Sequence, residues 1–289
     1  MSPTTRTLIF TDLDGTLLDH NDYSFEAALP TIDYLNQANI PWILNTSKTL
    51  AELRDLAKAL GNRHPLILEN GGGIAVPETY PVPEGTPHSI PTNAGDYRLI
   101  ALGAERSFIL SMLEPLRRSF RFQGFHSMTE AEVVALTGLN PIQARQARER
   151  HFSEPLVWQD EPEALKDFGT ELATHSLSLL RGGRFVHVLG QVDKGQAMAR
   201  VVDHWFSDTA TGCEGALVTI ALGDSDNDRA MLEAADHAIV IRSPVHAPPR
   251  INHPNPRIST QTGPQGWAES LSRVLNELGY ITVNAMEAL

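Results

Sequence analysis

Residues 10–19, FTDLDGTLLD, decide how the chain is read. An apolar run, Leu8-Ile9-Phe10, breaks into two carboxylates one residue apart, Asp12 and Asp14, and then into Gly15 and Thr16. Like charges held this close repel, so the pair costs free energy unless a cation or a proton compensates. A strand running into an Asp-Gly hairpin turn would produce the same stretch. The choice rests on what the other strand ends carry.

Apolar runs at 7–11, 40–45, 65–68, 217–222 and 238–241 read as buried strands, and helical patterns at 25–38, 49–60, 194–206 and 227–235 lie between several of them. Thr49 with Glu52 forms a capping box, which sets a helix start just after the second run. This alternation predicts an α/β fold: a Rossmann-like, doubly wound parallel sheet with helices on both faces. Ligands of such sheets bind beyond the carboxyl ends of the strands. Asp12, Thr46 and Asp224 each stand just past an apolar run, so one sheet edge can gather them.

The middle of the chain differs. After a turn-rich stretch at 77–95 come a strand-like YRLIALG and helical patterns around 104–120, 129–138 and 140–151, with Thr129/Glu132 as a second capping box and Pro141 at a helix start. Further on, SLSLL and RFVHVLG flank Arg181-Gly182-Gly183-Arg184, a hairpin signal. These features predict an inserted α+β cap over 85–189, leaving 1–84 and 190–289 as the core. The proline-rich segment 243–256 reads as a surface loop.

Composition narrows the function. Over 289 residues, 42% hydrophobic and 20% charged content is that of a soluble globular protein. A net charge of -12 argues against nucleic-acid or anionic-membrane partners. A small anionic substrate would then depend on local positive charge. The single cysteine, Cys213, excludes an internal disulfide and reads as a bystander, and no Cys/His cluster has zinc-ligand spacing. MSPTTRTLIF lacks a basic region followed by an apolar stretch, and no 18 apolar residues run together, so a cytoplasmic location is expected. Oligomeric state is not legible.

Four pieces occur in order at strand ends and helix starts: DLDGT at 12–16, NTSK at 45–48, DKG at 193–195 and GDSDND at 223–228. Together they resemble the four motifs of the haloacid dehalogenase-like phosphatases. The large insert falls between the second and third motifs, as in the members acting on small phosphorylated metabolites and sugars. NTSKT, LILENGG, HFSEP, GGRFVHVLG and GPQGW further resemble the mannosyl-3-phosphoglycerate phosphatases.

The resemblance implies Mg2+-dependent hydrolysis of mannosyl-3-phosphoglycerate, a phosphorylated glycoside, through an aspartyl phosphate. Asp12 would attack phosphorus. Asp14 would protonate the leaving alkoxide and then take a proton from water. Thr46 and Lys194 would bind phosphate oxygens. The implied metal ligands are Asp12, the Asp14 backbone carbonyl and Asp224, with Asp228 holding either metal-bound water or Lys194. Ser47 and Asn227 are further substrate candidates. In the cap, Arg184 and His187 would meet the substrate carboxylate, and Glu154 with Asn70 would meet sugar hydroxyls. Three positions apart on a strand, Arg184 and His187 face opposite sides unless Arg184 belongs to the turn. Asp226, His126 and His175 read as ordinary residues. A glucosyl-3-phosphoglycerate phosphatase, a broader sugar-phosphate phosphatase and a phosphomutase remain alternatives, as does a phospho-acceptor signalling domain, which Asp14 and the cap disfavour.

Overall fold

The structure, a computed structural model, describes residues 6–82, 89–90, 95–182, 185–212 and 215–280. Along the strand Arg6–Thr11, Leu8, Ile9 and Phe10 are all fully buried, because both faces of the strand are covered. Ile9 packs with Trp42, Leu44, Leu222 and Trp267 on one face, while Leu8 and Phe10 pack with Ile43, Ala221 and Met231 on the other. The period of two is that of an extended strand. A parallel sheet results, in the order Arg257–Thr262, His237–Arg242, Leu217–Gly223, Arg6–Thr11 and Trp42–Leu44. Helices Leu29–Gln37, Leu50–Ala59 and Gly263–Glu277 cover its first face; Lys194–Val201 and Arg229–Ala234 cover the second.

A second sheet of four antiparallel strands, in the order Phe122–Gly124, Ser153–Trp158, Phe185–Gly190 and Leu177–Gly182, forms the cap. Leu156, Val186 and Val188 point into a core closed by helices Arg106–Leu116 and Ala164–Ala173. Val157 and Phe185 face helices Glu130–Thr137 and Pro141–Arg148.

A third sheet was not foreseen. Leu66–Leu68 pairs with Gly73–Pro77, which pairs with Tyr97–Ala101, which pairs with Ser89–Ile90, all antiparallel. A bridge between Asn45 and Ile67 ties it to the parallel sheet. Leu99 and Ile100 are buried in the two core clusters, so YRLIALG packs with the core. A cap boundary at 85 therefore cuts through this sheet, and the cap's own strands begin at Phe122. The expected strands and helices of the two flanking segments are present, with the pattern at 194–206 continuing past Val201 as one wider turn, Val202–Phe206. No regular element occupies 243–256. Among the described residues no helix is long and apolar enough to cross a membrane.

Candidate active site

Asp12 leaves its strand with its backbone N–H donating to the Leu222 carbonyl at 2.9 Å, so the strand pairing itself sets its position. Its carbonyl accepts from Thr11 Oγ1 at 2.7 Å, and Thr11 Oγ1 in turn accepts from Trp267 Nε1 at 2.9 Å. The GPQGW stretch thus serves from the second layer, fixing the backbone behind Asp12. Asn45, fully buried at the end of the neighbouring strand, donates to the Lys194 carbonyl at 3.0 Å and pins the helix that Lys194 opens.

Lys194 is fully buried, and its Nζ lies 2.6 Å from both Asp12 Oδ1 and Asp228 Oδ1. The other Asp228 oxygen accepts from the backbone N–H groups of Asp224 and Ser225, each at 3.0 Å. Both Asp228 oxygens are therefore engaged in organising the loop and the lysine. Asp12, Asp224 and Asp228 bring carboxylate oxygens within 4.8 Å of one another, all buried. Gly15, at φ +79°, is what allows this: a Cβ there would stand 2.7 Å from Asp224 Oδ2.

Three buried carboxylates face one ammonium. Burial raises the Asp12 pKa well above the usual carboxylate value, and Asp228, Asp224 and Asp14 add to it while Lys194 opposes them. Burial, then Asp228, push Asp224 up to about 7. The excess negative charge, carried entirely on oxygen, fits a hard divalent cation. His246 Nε2, from the proline-rich loop, stands 3.2 Å from Asp224 Oδ2. A lone histidine among prolines gave no signal for this.

Asp14 does something different from Asp12. Its carboxylate is partly exposed and meets Lys48 Nζ at 2.8 Å, and Lys48 lies over the Tyr23 ring, 5.1 Å from its centroid. Lys48 was quoted within its motif but given no role. Thr46 is fully buried; its carbonyl accepts from Asn70 N–H at 2.9 Å and its hydroxyl from Lys48 N–H at 3.3 Å. The Ser47 carbonyl accepts from both terminal nitrogens of the cap residue Arg150 at 3.2 Å. Asn227 donates to Asn70 Oδ1 at 3.1 Å, so these two candidates from distant segments meet.

The turn holding Asn70 is strained. Glu69 and Asn70 adopt φ of +50° and +59°, which L-residues rarely do. Glu69 is fully buried and reaches into the cap: it accepts from the His151 and Phe152 backbones at 2.8 and 3.2 Å and from Ser153 Oγ at 2.6 Å.

The cap candidates fare unevenly. Glu154, expected at sugar hydroxyls, is fully buried, on the same side of its strand as Leu156. Its Oε2 accepts from Arg106 Nε at 2.7 Å and its Oε1 from the His126 N–H at 2.7 Å. With both oxygens engaged there, Glu154 serves as an internal anchor of the cap. His187 is 7% exposed, and its Nδ1 has no hydrogen-bond partner. Burial, then Arg150, lower its pKa to about 3, so the ring is neutral. A neutral imidazole has one N–H to donate and one nitrogen to accept, so it can meet a hydroxyl or, through its N–H, a carboxylate, without adding positive charge. Arg184 lies outside the described residues.

Between core and cap, a cavity of about 390 Å³ is lined by Lys194, Asn70 and Asn227 below and Ser178, Leu180 and Leu189 above. One of equal volume, lined by Ile74, Gln196, Arg200 and Trp205, touches none of the carboxylates.

The family model described as haloacid dehalogenase-like hydrolase matches residues 9–83. A glucosyl-3-phosphoglycerate/mannosyl-3-phosphoglycerate phosphatase of Persephonella marina is 36% identical over 273 residues, 94% of this chain and 98% of that protein. One bearing the same description from Methanococcoides burtonii is 33% identical over 274 residues, 93% and 97% of the two chains. Among solved structures, a phosphatase of the haloalkanoate enzyme superfamily from Bacteroides thetaiotaomicron superposes with a TM-score of 0.64 at 14% identity, covering 97% of each chain, a likeness of fold.

Proposed function

The chain belongs to the haloacid dehalogenase-like hydrolases, in the family of the glucosyl-3-phosphoglycerate/mannosyl-3-phosphoglycerate phosphatases, and from that membership we propose a Mg2+-dependent phosphatase acting on mannosyl-3-phosphoglycerate, with the glucosyl compound as the alternative substrate. The products are mannosylglycerate, or glucosylglycerate, and phosphate. One observation carries the reading. At the carboxyl ends of three parallel strands, Asp12 is held by Lys194 within 4.8 Å of Asp224 and Asp228, while Asp14 stands apart on Lys48.

The division of labour follows from that geometry. Asp12, with Lys194 fixing one oxygen, attacks phosphorus and forms the aspartyl phosphate. Asp14, partly exposed and not bound to Lys194, gives its proton to the leaving oxygen and later takes one from water. Lys194 and the Thr46 hydroxyl bind the transferring oxygens. Asp12, the Asp14 carbonyl and Asp224 would hold Mg2+, and Asp228 would keep Lys194 and the loop in place. When bound, the cation neutralises carboxylate repulsion and the charge of the transferring group.

Phosphate release from mannosyl- and glucosyl-3-phosphoglycerate, hexose phosphates and 3-phosphoglycerate, with and without chelator, tests the reading. The glycosyl-3-phosphoglycerates are expected to lead by kcat/KM, and chelator to abolish release reversibly. A flat profile, or full activity in chelator, refutes it.

A further inference from the structure

Two cavities adjoin the candidate site, and the chemistry chooses between them. The group that protonates the leaving oxygen must face the leaving group. Asp14 meets Lys48, whereas Lys194 sits with Asp12 and Asp228 beside the 390 Å³ cavity. The leaving group therefore departs toward Lys48. There a smaller cavity, about 220 Å³, lies between the core residues Tyr23, Lys48 and Glu52 and the cap residues Leu139, Gln143 and Gln146.

We propose that this smaller cavity is the glycosylglycerate subsite, in which Lys48 binds the glycerate carboxylate and Gln143, Gln146 and Tyr23 bind the sugar. The inference rests on the reading given under Proposed function. The Lys48 side chain is 15% exposed, so its charge acts in a partly dry setting where an ionic hydrogen bond is strong. An ammonium has three donors, so the single contact to Asp14 leaves others for a substrate carboxylate. Glu52 is the other carboxylate here, and its Oε2 is held by the Thr49 N–H at 2.9 Å in the capping box. Tyr23 is 42% exposed and offers a ring surface for a sugar; the Gln146 amide suits hydroxyls by accepting and donating, while Gln143, whose Oε1 accepts from the Asn140 N–H at 3.1 Å in a capping box, offers its amide N–H donors. Thr49 Oγ1 donates to the Gln146 carbonyl at 2.9 Å, which fixes the cap helix over the cavity.

The test compares two substrates: mannosyl-3-phosphoglycerate and the same glycoside with a hydroxymethyl group in place of the carboxylate. They share the leaving oxygen, so any effect of Lys48 through Asp14 falls on both. Lys48→Gln is expected to shrink the wild-type kcat/KM preference for the carboxylate form about tenfold or more, and Lys48→Arg to restore part of it. The Gln143→Ala/Gln146→Ala pair is expected to lower kcat/KM for the glycoside relative to 3-phosphoglycerate, which has no sugar. Thermal melts confirm that each variant is folded. If the wild type hydrolyses the glycoside and Lys48→Gln keeps the full preference, the subsite is wrong while the phosphatase reading stands. If the wild type releases no phosphate from the glycoside, both fall.

Discussion

At the scale of single residues, one ammonium serves two carboxylates in a site that holds three. Asp12→Asn keeps the shape and removes both the nucleophile and one unit of the crowded charge. It should lower phosphate release roughly a thousandfold or more while the melting temperature stays level or rises. A folded variant with near-normal release would remove Asp12 from its role. The same crowding predicts that a bound cation stabilises the fold. Mg2+ should raise the melting temperature of the wild type, by a stabilisation of about 2.7 kcal/mol at a hundredfold excess over its Kd. Asp224→Asn, which removes one of the three clustered charges, should lose most of that shift in a thermal scan without substrate. A full shift in Asp224→Asn would move the cation elsewhere.

At the scale of elements, the turn after Leu66–Leu68 joins the sheets. Glu69 there accepts from the residues that open the cap strand Ser153–Trp158, and next to it Asn70 meets Asn227. Glu69→Ala would leave the buried Phe152 N–H, the part-buried His151 N–H and the Ser153 hydroxyl without their acceptor, and should destabilise the protein by about 3 kcal/mol or more in urea unfolding. Glu69→Gln, which keeps one carbonyl oxygen, should recover a good part; equal loss in both would mean that the charge near Arg150 matters and not the acceptors. The sequence showed little of this. LILENGG was legible as a matching stretch, and its Asn-Gly pair suits positive φ at Asn70, but nothing local says that Glu69 takes it too, because Glu69 is held by the cap some eighty positions away. The anchoring of Glu154 was hidden for the same reason: its partners Arg106 and His126 are brought to it only by strand pairing and helix packing. Motifs at the ends of parallel strands were readable because buried strands are continuous apolar runs and the polar residue ending each run stands out. Tyr97–Ala101 carries consecutive apolar residues, Leu99 and Ile100, buried in two different clusters, and such a short apolar run does not say which sheet it joins.

At the scale of the whole molecule, two histidines held neutral work against acid tolerance, the half-buried His64 in the core and the buried His187 in the cap. His64, in the core, contacts the Tyr80 hydroxyl through Nδ1 at 3.3 Å; burial, then Arg63, lower its pKa to about 4. His187, in the cap, is lowered to about 3. In the unfolded chain both return to about 6.5. Between that pH and the folded value the unfolded state binds more protons, so stability falls as the pH falls. For His64 the loss is full near pH 4 and amounts to roughly 3 kcal/mol. Asp224, raised to about 7, works the other way without a cation, since the folded state then holds the extra proton and gains stability on acidification. Urea unfolding in saturating Mg2+ quiets that opposing contribution and isolates the histidines. Stability should then drop steadily from pH 6.5 to 4.5. His64→Asn should be less stable at pH 7, having lost the contact with Tyr80, yet show a shallower slope below pH 6.5 because one of the groups that take up a proton on unfolding, His64 beside His187 and the less shifted His237, is gone. An unchanged slope in His64→Asn would mean that His64 is already protonated in the folded state, and acid lability would then have to come from His187 and the carboxylates.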